Sequence, residues 1–226
     1  MMQRIFDVLF SGTALIMLSP LLHSVAIILR LTGEGEVFFK QSRVGLGGKH
    51  FGLFKFATML KNSPIIGTGT VTVKDDPRVL PVGRFLRTTK INELPQLINI
   101  FLGEMSVVGP RPQTQRCFDA FPKELQQKIV QVRPGLSGIG PIVFRSEEDI
   151  LADHENSVIF YDEVIAPYKG EVEAWYVENQ SLFNYFAIIC VTVWVVVFPK
   201  SQTVWRVFKG LPKPSAQLAE ALNYSP

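Results

Sequence analysis

The run from Val8 to Leu29 constrains this chain more than any other stretch: 22 residues with no formal charge, interrupted near the middle by Ser19-Pro20. A straight helix of that length would reach roughly 33 Å, enough to cross a hydrocarbon core of ~30 Å. Pro20 removes a backbone hydrogen bond and crowds the preceding turn, so the helix should kink or break there. Two half-helices of about 11 residues are each too short to span. The pattern predicts a re-entrant helical hairpin over residues 1–33 that enters and leaves by one face, with Ser19, Ser24 and neighbouring segments satisfying the freed carbonyls. A kinked single span is the alternative. Arg4 before the run and Arg30, Lys40 and Arg43 after it fit both ends on the cytoplasmic side without deciding the matter. Asp7 near the start and the lack of a small-x-small site after the run argue against a cleaved signal peptide.

Charge is unevenly divided. Glu34 to Arg133 holds 15 Lys and Arg against 8 Asp and Glu, whereas Ser146 to Gln180 holds one Lys against 10 acids. The basic stretch suits nucleic acid, anionic headgroups or a phosphorylated small substrate. Nothing in it resembles a zinc finger or an aromatic RNA platform, so nucleic acid is set aside. A hydrophobic content of 47% and the adjoining apolar run favour a phosphorylated substrate met at a membrane surface. The acidic stretch, with Tyr161, Tyr168, Trp175 and Tyr176, reads as helices with a solvated acidic face. Cys117 and Cys190 fall in no metal-ligand spacing and read as reduced, buried thiols. His23, His50 and His154 are not spaced as zinc ligands, and His23 reads as hydrogen-bonded within the apolar segment.

Gly35 to Thr58 reads as a β-hairpin, because aromatic and β-branched runs flank a turn carrying Gly45, Gly47 and Gly48. Asn62 to Thr72 reads as a surface loop, and Asp75-Asp76-Pro77 as a turn rather than a metal pair. Arg84, Arg87 and Lys90 then lead up to Asn92 and Glu93, with Pro95 behind, as a basic loop entering a helix. The unpaired N–H groups of a helix start favour anions, so these cations and one carboxylate suit a phosphate with a divalent metal. Phe121 to Val132 is a further helix with Pro122 in its first turn. Leu182 to Phe198 is apolar apart from Asn184 and Thr192. With Trp194, Trp205, Lys200 and Arg206 it reads as an interfacial helical segment over 181–211, a second span being the alternative; 212–226 reads as a loose tail.

Taken in order, these motifs resemble the bacterial sugar transferase family, the monotopic polyprenol-phosphate phosphoglycosyl transferases. The likeness runs from Arg4, Phe6 and Asp7 through Ser19-Pro20 and Phe38-Phe39-Lys40-Gln41 to Lys55-Phe56. It continues with Val82-Gly83-Arg84-Phe85-Leu86-Arg87, Glu93-Leu94-Pro95-Gln96-Leu97, Gly109-Pro110-Arg111-Pro112, Arg133-Pro134-Gly135 and Trp175-Tyr176-Val177. The resemblance implies an α/β membrane-associated fold: the N-terminal re-entrant helical hairpin, a small β-hairpin and helix-rich catalytic domain over 34–180 facing the cytoplasm, and C-terminal interfacial helices. It implies transfer of a sugar-1-phosphate from a nucleotide diphosphate sugar to polyprenol phosphate at the bacterial inner membrane, the first membrane step of glycoconjugate synthesis. Magnesium is the implied cofactor and downstream glycosyltransferases the implied protein partners. Arg111 is the first candidate for the substrate phosphates, followed by Lys55, Arg87 and Arg133.

The family's Asp-Glu dyad is here Asn92-Glu93. A carboxamide is far less nucleophilic than the carboxylate that forms the family's acyl phosphate, although it still caps a helix or weakly ligates a metal. Three accounts stand open at this point. Glu93 carries the chemistry, as nucleophile or metal ligand; or Asn92 inactivates an otherwise ordinary enzyme; or the chain is a non-catalytic substrate-binding or scaffold member.

Overall fold

The computed structural model describes residues 2–65, 76–152 and 154–224. Most of the expected surface loop, together with Asp75, lies outside the described residues. Two compact units are present, one of Met2–Ser42 and Gly52–Gly103 and the other of Arg43–Phe51 and Glu104–Pro226.

The first unit is built on α1 (Met2–Thr32), an apolar helix with Pro20 inside it. It is long and apolar enough to cross a membrane by length and composition. The helical assignment runs through Pro20, where the sequence predicts a kink or a break, and side chains there take up the carbonyl that the proline frees. Pro20 deprives the Ile16 carbonyl of its donor, and Ser19 Oγ donates to that carbonyl at 2.8 Å. Ser24 Oγ donates to the Pro20 carbonyl at 2.9 Å, and His23 Nδ1 lies 2.6 Å from the Ser19 carbonyl oxygen. The Ser19 hydroxyl thus takes the place of the lost ladder bond, and the helical assignment runs through the proline.

The middle of α1 is bare, with Ile16 76% and Met17 74% exposed. Both of its ends are held on the same unit. Arg4 donates to the Ile100 and Phe101 carbonyls, satisfying the end of α3 (Gln96–Leu102). Towards the other end, Val25 and Leu29 pack with Phe56 and Leu86, surrounded by Leu22, Val37, Val82 and Ile91.

β1 (Phe38–Val44) and β2 (His50–Phe56) form the expected hairpin, whose short connection permits only antiparallel pairing. Gly47 and Gly48 take positive φ there, so the glycines serve a plain turn. Asn99 straps α3 to β2, donating to the Gly52 carbonyl and accepting from the Phe54 N–H, both at 2.9 Å. α2 (Pro81–Thr88) starts on Pro81 and buries Gly83 and Leu86. Arg84 and Arg87 therefore stand on a helix rather than in the expected loop, because a first-turn proline and an amphipathic pattern suffice to form one turn after another. Asp76 closes its turn as expected: Oδ1 accepts from the Arg78 N–H and Nε–H, while Arg78 Nη1 donates to the Ser63 carbonyl.

In the second unit β3 (Ser106–Val108) and β4 (Gly135–Ser137) run parallel, with Ser106 opposite Gly135 and Val108 opposite Ser137. The crossover that parallel strands require carries α4 (Gln115–Asp119) and α5 (Lys123–Ile129). Then come α6 (Ile139–Val143), α7 (Glu147–Ala152) and α8 (Ser157–Phe160), and a widened helical turn at Tyr161–Ile165 leads into α9 (Ala166–Glu178).

α10 (Leu182–Val197) spans about 24 Å, short of a hydrocarbon core. One face, with Tyr185, Ile188, Val191 and Val195, is buried. The opposite face exposes Phe183, Phe186, Cys190, Val193, Trp194 and Val197, so α10 is apolar on both sides. Cys190 consequently is exposed rather than buried, since the 3.6-residue period puts it on that outer stripe; Cys117 is half-buried and both are free. α11 (Thr203–Val207) and α12 (Ala216–Ala219) follow. The stretch expected as a loose tail packs instead. Leu218 and Leu222 are buried, and Tyr168 Oη donates to the Pro212 carbonyl at 2.8 Å. Two leucines four residues apart give even a short helix an apolar edge to bury.

Candidate functional site

In the first unit, the chain leaves α2 through Lys90, whose φ of 59° and ψ of 10° are left-handed. That conformation ends helices and costs a lysine on the order of 1 kcal/mol. It directs the chain into a tight turn, Ile91–Glu93, and Leu94 and Pro95 keep helical dihedrals into α3. Asn92 and Glu93 therefore sit on the turn that opens α3, as the sequence predicts. Asn92 is 6% exposed, and its Oδ1 is buried with no hydrogen-bond partner among the described residues. Leaving such an acceptor unsatisfied costs about 1–3 kcal/mol. Glu93 Oε1 lies 3.7 Å from Lys55 Nζ of β2, both side chains being about four-fifths covered. Arg87, half-buried on α2, directs Nη1 at Met59 Sδ, 3.9 Å away. Lys55 and Glu93 are thus brought together, with Asn92 the neighbour of Glu93 in the chain.

In the second unit, the Gly-Pro-Arg-Pro and Arg-Pro-Gly motifs meet backbone to backbone. Ser106 N–H donates to the Pro134 carbonyl, Gly109 N–H to the Ser137 carbonyl and Gly135 N–H to the Pro110 carbonyl, at 2.8–2.9 Å. Only glycine permits this approach: a Cβ on Gly109 would lie 2.4 Å from the Arg133 carbonyl oxygen, and one on Gly135 would lie 2.1 Å from the Gly109 nitrogen. Arg111, half-buried, and Arg133, exposed, are consequently carried on one strand-pair scaffold. Arg43 Nη1 and the Val44 N–H donate to the Pro112 and Gln113 carbonyls. From α9, Tyr176 Oη donates to the Val108 carbonyl at 3.1 Å, and Glu173 Oε1 accepts the Arg111 N–H at 3.0 Å.

Glu173 is the residue that the sequence reading passed over. Its acidic stretch was expected to form a solvated face, yet Glu173 is 1% exposed and its Oε2 is buried without a hydrogen-bond partner among the described residues. Burial pushes its carboxyl up to about 7, against the pull of the Arg111 N–H and of the Lys169 and Arg111 charges. The available signal was periodicity. Ala166, Lys169, Gly170, Glu173 and Tyr176 recur at helical spacing, and small and aromatic residues on one face mark it as packed. Lys169, equally buried, pairs with Glu147. Arg145, after α6, was also missed. Its Nε and Nη2 are buried without partners among the described residues, and desolvation lowers its pKa. Two unfilled guanidinium donors suit an anion.

Among the described residues no three His, Cys, Asp or Glu side chains cluster as a metal cage. The Glu93 carboxylate and Asn92 Oδ1, on consecutive residues, are a sparse pair of candidate oxygen donors, Oδ1 having no hydrogen-bond partner among the described residues. Such a set fits magnesium, which commonly takes one or two protein ligands and completes its shell with substrate phosphates and water.

The family model of the bacterial sugar transferases matches residues 1–199. The UDP-glucose:undecaprenyl-phosphate glucose-1-phosphate transferase of Escherichia coli (strain K12) is 35% identical over 165 residues, 71% of this chain and 35% of that protein. The UDP-N-acetylgalactosamine-undecaprenyl-phosphate N-acetylgalactosaminephosphotransferase of Aeromonas hydrophila is 33% identical over 193 residues, 84% of this chain and 42% of that protein. An uncharacterized sugar transferase, EpsL, of Bacillus subtilis (strain 168) is 33% identical over 192 residues, 85% of each chain. The chain thus spans about two fifths of the length of the first two relatives and most of the third.

Proposed function

The chain belongs to the bacterial sugar transferase family, and on that premise we propose that it transfers a sugar-1-phosphate from a nucleotide diphosphate sugar to polyprenol phosphate. The bond between the sugar-linked phosphorus and the bridging oxygen breaks, the nucleoside monophosphate leaves with that oxygen, and the lipid phosphate ends bonded to the same phosphorus. The observation that carries this reading is the Lys55–Glu93 pair next in the chain to Asn92, whose buried Oδ1 has no hydrogen-bond partner among the described residues. It leaves Glu93 as the carboxylate of the dyad position. Glu93 attacks the sugar-linked phosphorus, and the lipid phosphate then displaces it and restores the carboxylate. Asn92 binds rather than reacts. The candidate cations for phosphate are Lys55 and Arg87 in the first unit and, separately, Arg111, Arg133 and Arg145 in the second. Glu93 and Asn92 Oδ1 would hold magnesium, which when bound offsets the charge of the diphosphate.

α1 supports a membrane arrangement. Arg4 and Leu29 are held on one unit while Ile16 and Met17 project bare between them, which supports a re-entrant segment with both ends on one side. The outer stripe of α10, with Trp194 followed by Lys200, suits an interfacial position. Both substrates then meet at the cytoplasmic face of the bacterial inner membrane, one from water and one on a lipid tail, and the product passes to downstream glycosyltransferases.

The test is release of nucleoside monophosphate by the detergent-purified protein, given magnesium, undecaprenyl phosphate and a panel of UDP-sugars. Lipid-dependent release with one or more sugars is expected. Silence across the panel would reduce the chain to a substrate-binding or scaffold protein.

A further inference from the structure

Glu173 is a carboxyl group that the proposed chemistry does not use, and its surroundings show what it does. Oε1 accepts the Arg111 N–H at 3.0 Å. On the other side stands Gly140 of α6, where a Cβ would lie 2.1 Å from Oε1 and 2.4 Å from Cδ. The carboxyl is therefore clasped between a glycine whose missing Cβ leaves it room and the backbone of the Gly-Pro-Arg-Pro loop. One turn further along α9, Tyr176 Oη holds the Val108 carbonyl just ahead of that loop. The charged groups facing the carboxyl are Lys169, one turn earlier on α9, its partner Glu147 at the start of α7, and Arg111 itself. A buried carboxyl is expensive, and a leucine at this place would pack at less cost. The hydrogen bond to Arg111 is what an apolar side chain would forfeit.

We propose that Glu173 is a positioning residue: clasped by Gly140, it fixes the Arg111 backbone and so aims the Arg111 guanidinium at the substrate phosphates. The substrate half of this inference rests on the transferase reading, whereas the clasp itself does not. Glutamine fits the same space and keeps an acceptor for the Arg111 N–H, while alanine removes it. Gly140→Ala displaces the carboxyl without deleting it.

The experiment measures amide hydrogen exchange at Arg111 together with KM for the nucleotide sugar in the full-length protein, for Glu173→Ala, Glu173→Gln and Gly140→Ala. Exchange at Arg111 should rise at least tenfold, and KM at least tenfold, in Glu173→Ala and Gly140→Ala, with Glu173→Gln within about threefold of the parent on both. If Glu173→Ala does not fold, Gly140→Ala decides alone. Arg111 exchange within twofold of the parent in the folded variants overturns the clasp. Raised exchange with unchanged KM overturns the aiming role. A parent protein silent with every nucleotide sugar overturns the transferase reading and the aiming role with it, and the exchange arm then decides the clasp by itself.

Discussion

Asn92 and Glu173 are both buried polar side chains with one oxygen lacking a partner among the described residues, yet they solve the problem of burial differently. Asn92 is neutral at the position where the resemblance implies a carboxylate, and its turn is made by local backbone geometry through Lys90. Glu173 is an acid at a position where the sequence suggested solvent, and it holds a loop 62 residues away in the chain. The contrast teaches that burial alone does not select against charge here. A titratable group is kept where it has a backbone donor to grip, and position 92 presents no such grip among the described residues.

The comparison is put under most strain at Arg111, the residue that Glu173 serves. Arg111→Lys replaces a bidentate fork with a point charge and should lower turnover by about 100-fold or more, with the fold intact by circular dichroism. Near-normal activity would remove Arg111 from the site and leave Glu173 as a packing residue.

The pH dependence of stability separates the two positions next. The Glu173 carboxyl is raised by burial to about 7 from an ordinary 4.5, so between those values the folded protein holds a proton that the unfolded chain has released. Stability should therefore fall as pH rises from about 4.5 to about 7, by at most roughly 3 kcal/mol, and level off above. Thermal unfolding in detergent at pH 5 and pH 8 should show this slope, and Glu173→Gln should lose it. Asn92→Asp places a carboxylate without a donor in the other buried position and should destabilise by about 1–3 kcal/mol at pH 8 and less at pH 5. Asn92→Ala removes the orphaned oxygen and should change stability by less than about 1 kcal/mol. An effect of similar size is expected at Lys90. Lys90→Gly relieves a left-handed lysine and should shift stability by about 1 kcal/mol or less, in the favourable direction.

What the sequence made legible follows the same division between local and distant support. The hairpin at Phe38–Phe56, the turn at Asp76, and the placement of Asn92 and Glu93 ahead of α3 all rest on residues within a few positions of one another. Short-range chemistry is written in the order of residues. The support that Ser19 gives α1 around Pro20 depends on a rotamer, not on composition. The packing of Leu218 and Leu222 and the meeting of Gly109 with Gly135 depend on where distant segments arrive, which no local pattern encodes. Glu173 was lost for that reason too. Its neighbours Glu171 and Glu178 make the stretch look solvated, and only the helical period separates the buried acid from them.

The claim on which the account stands is that Glu93 does the work of the dyad while Asn92 binds. Nucleoside monophosphate release should be compared directly among the unaltered chain, Glu93→Gln and Asn92→Asp, under the same lipid and magnesium conditions. The account predicts turnover by the unaltered chain and its loss in Glu93→Gln. A silent chain brought to life by Asn92→Asp would contradict it and show an inactivated transferase in its place.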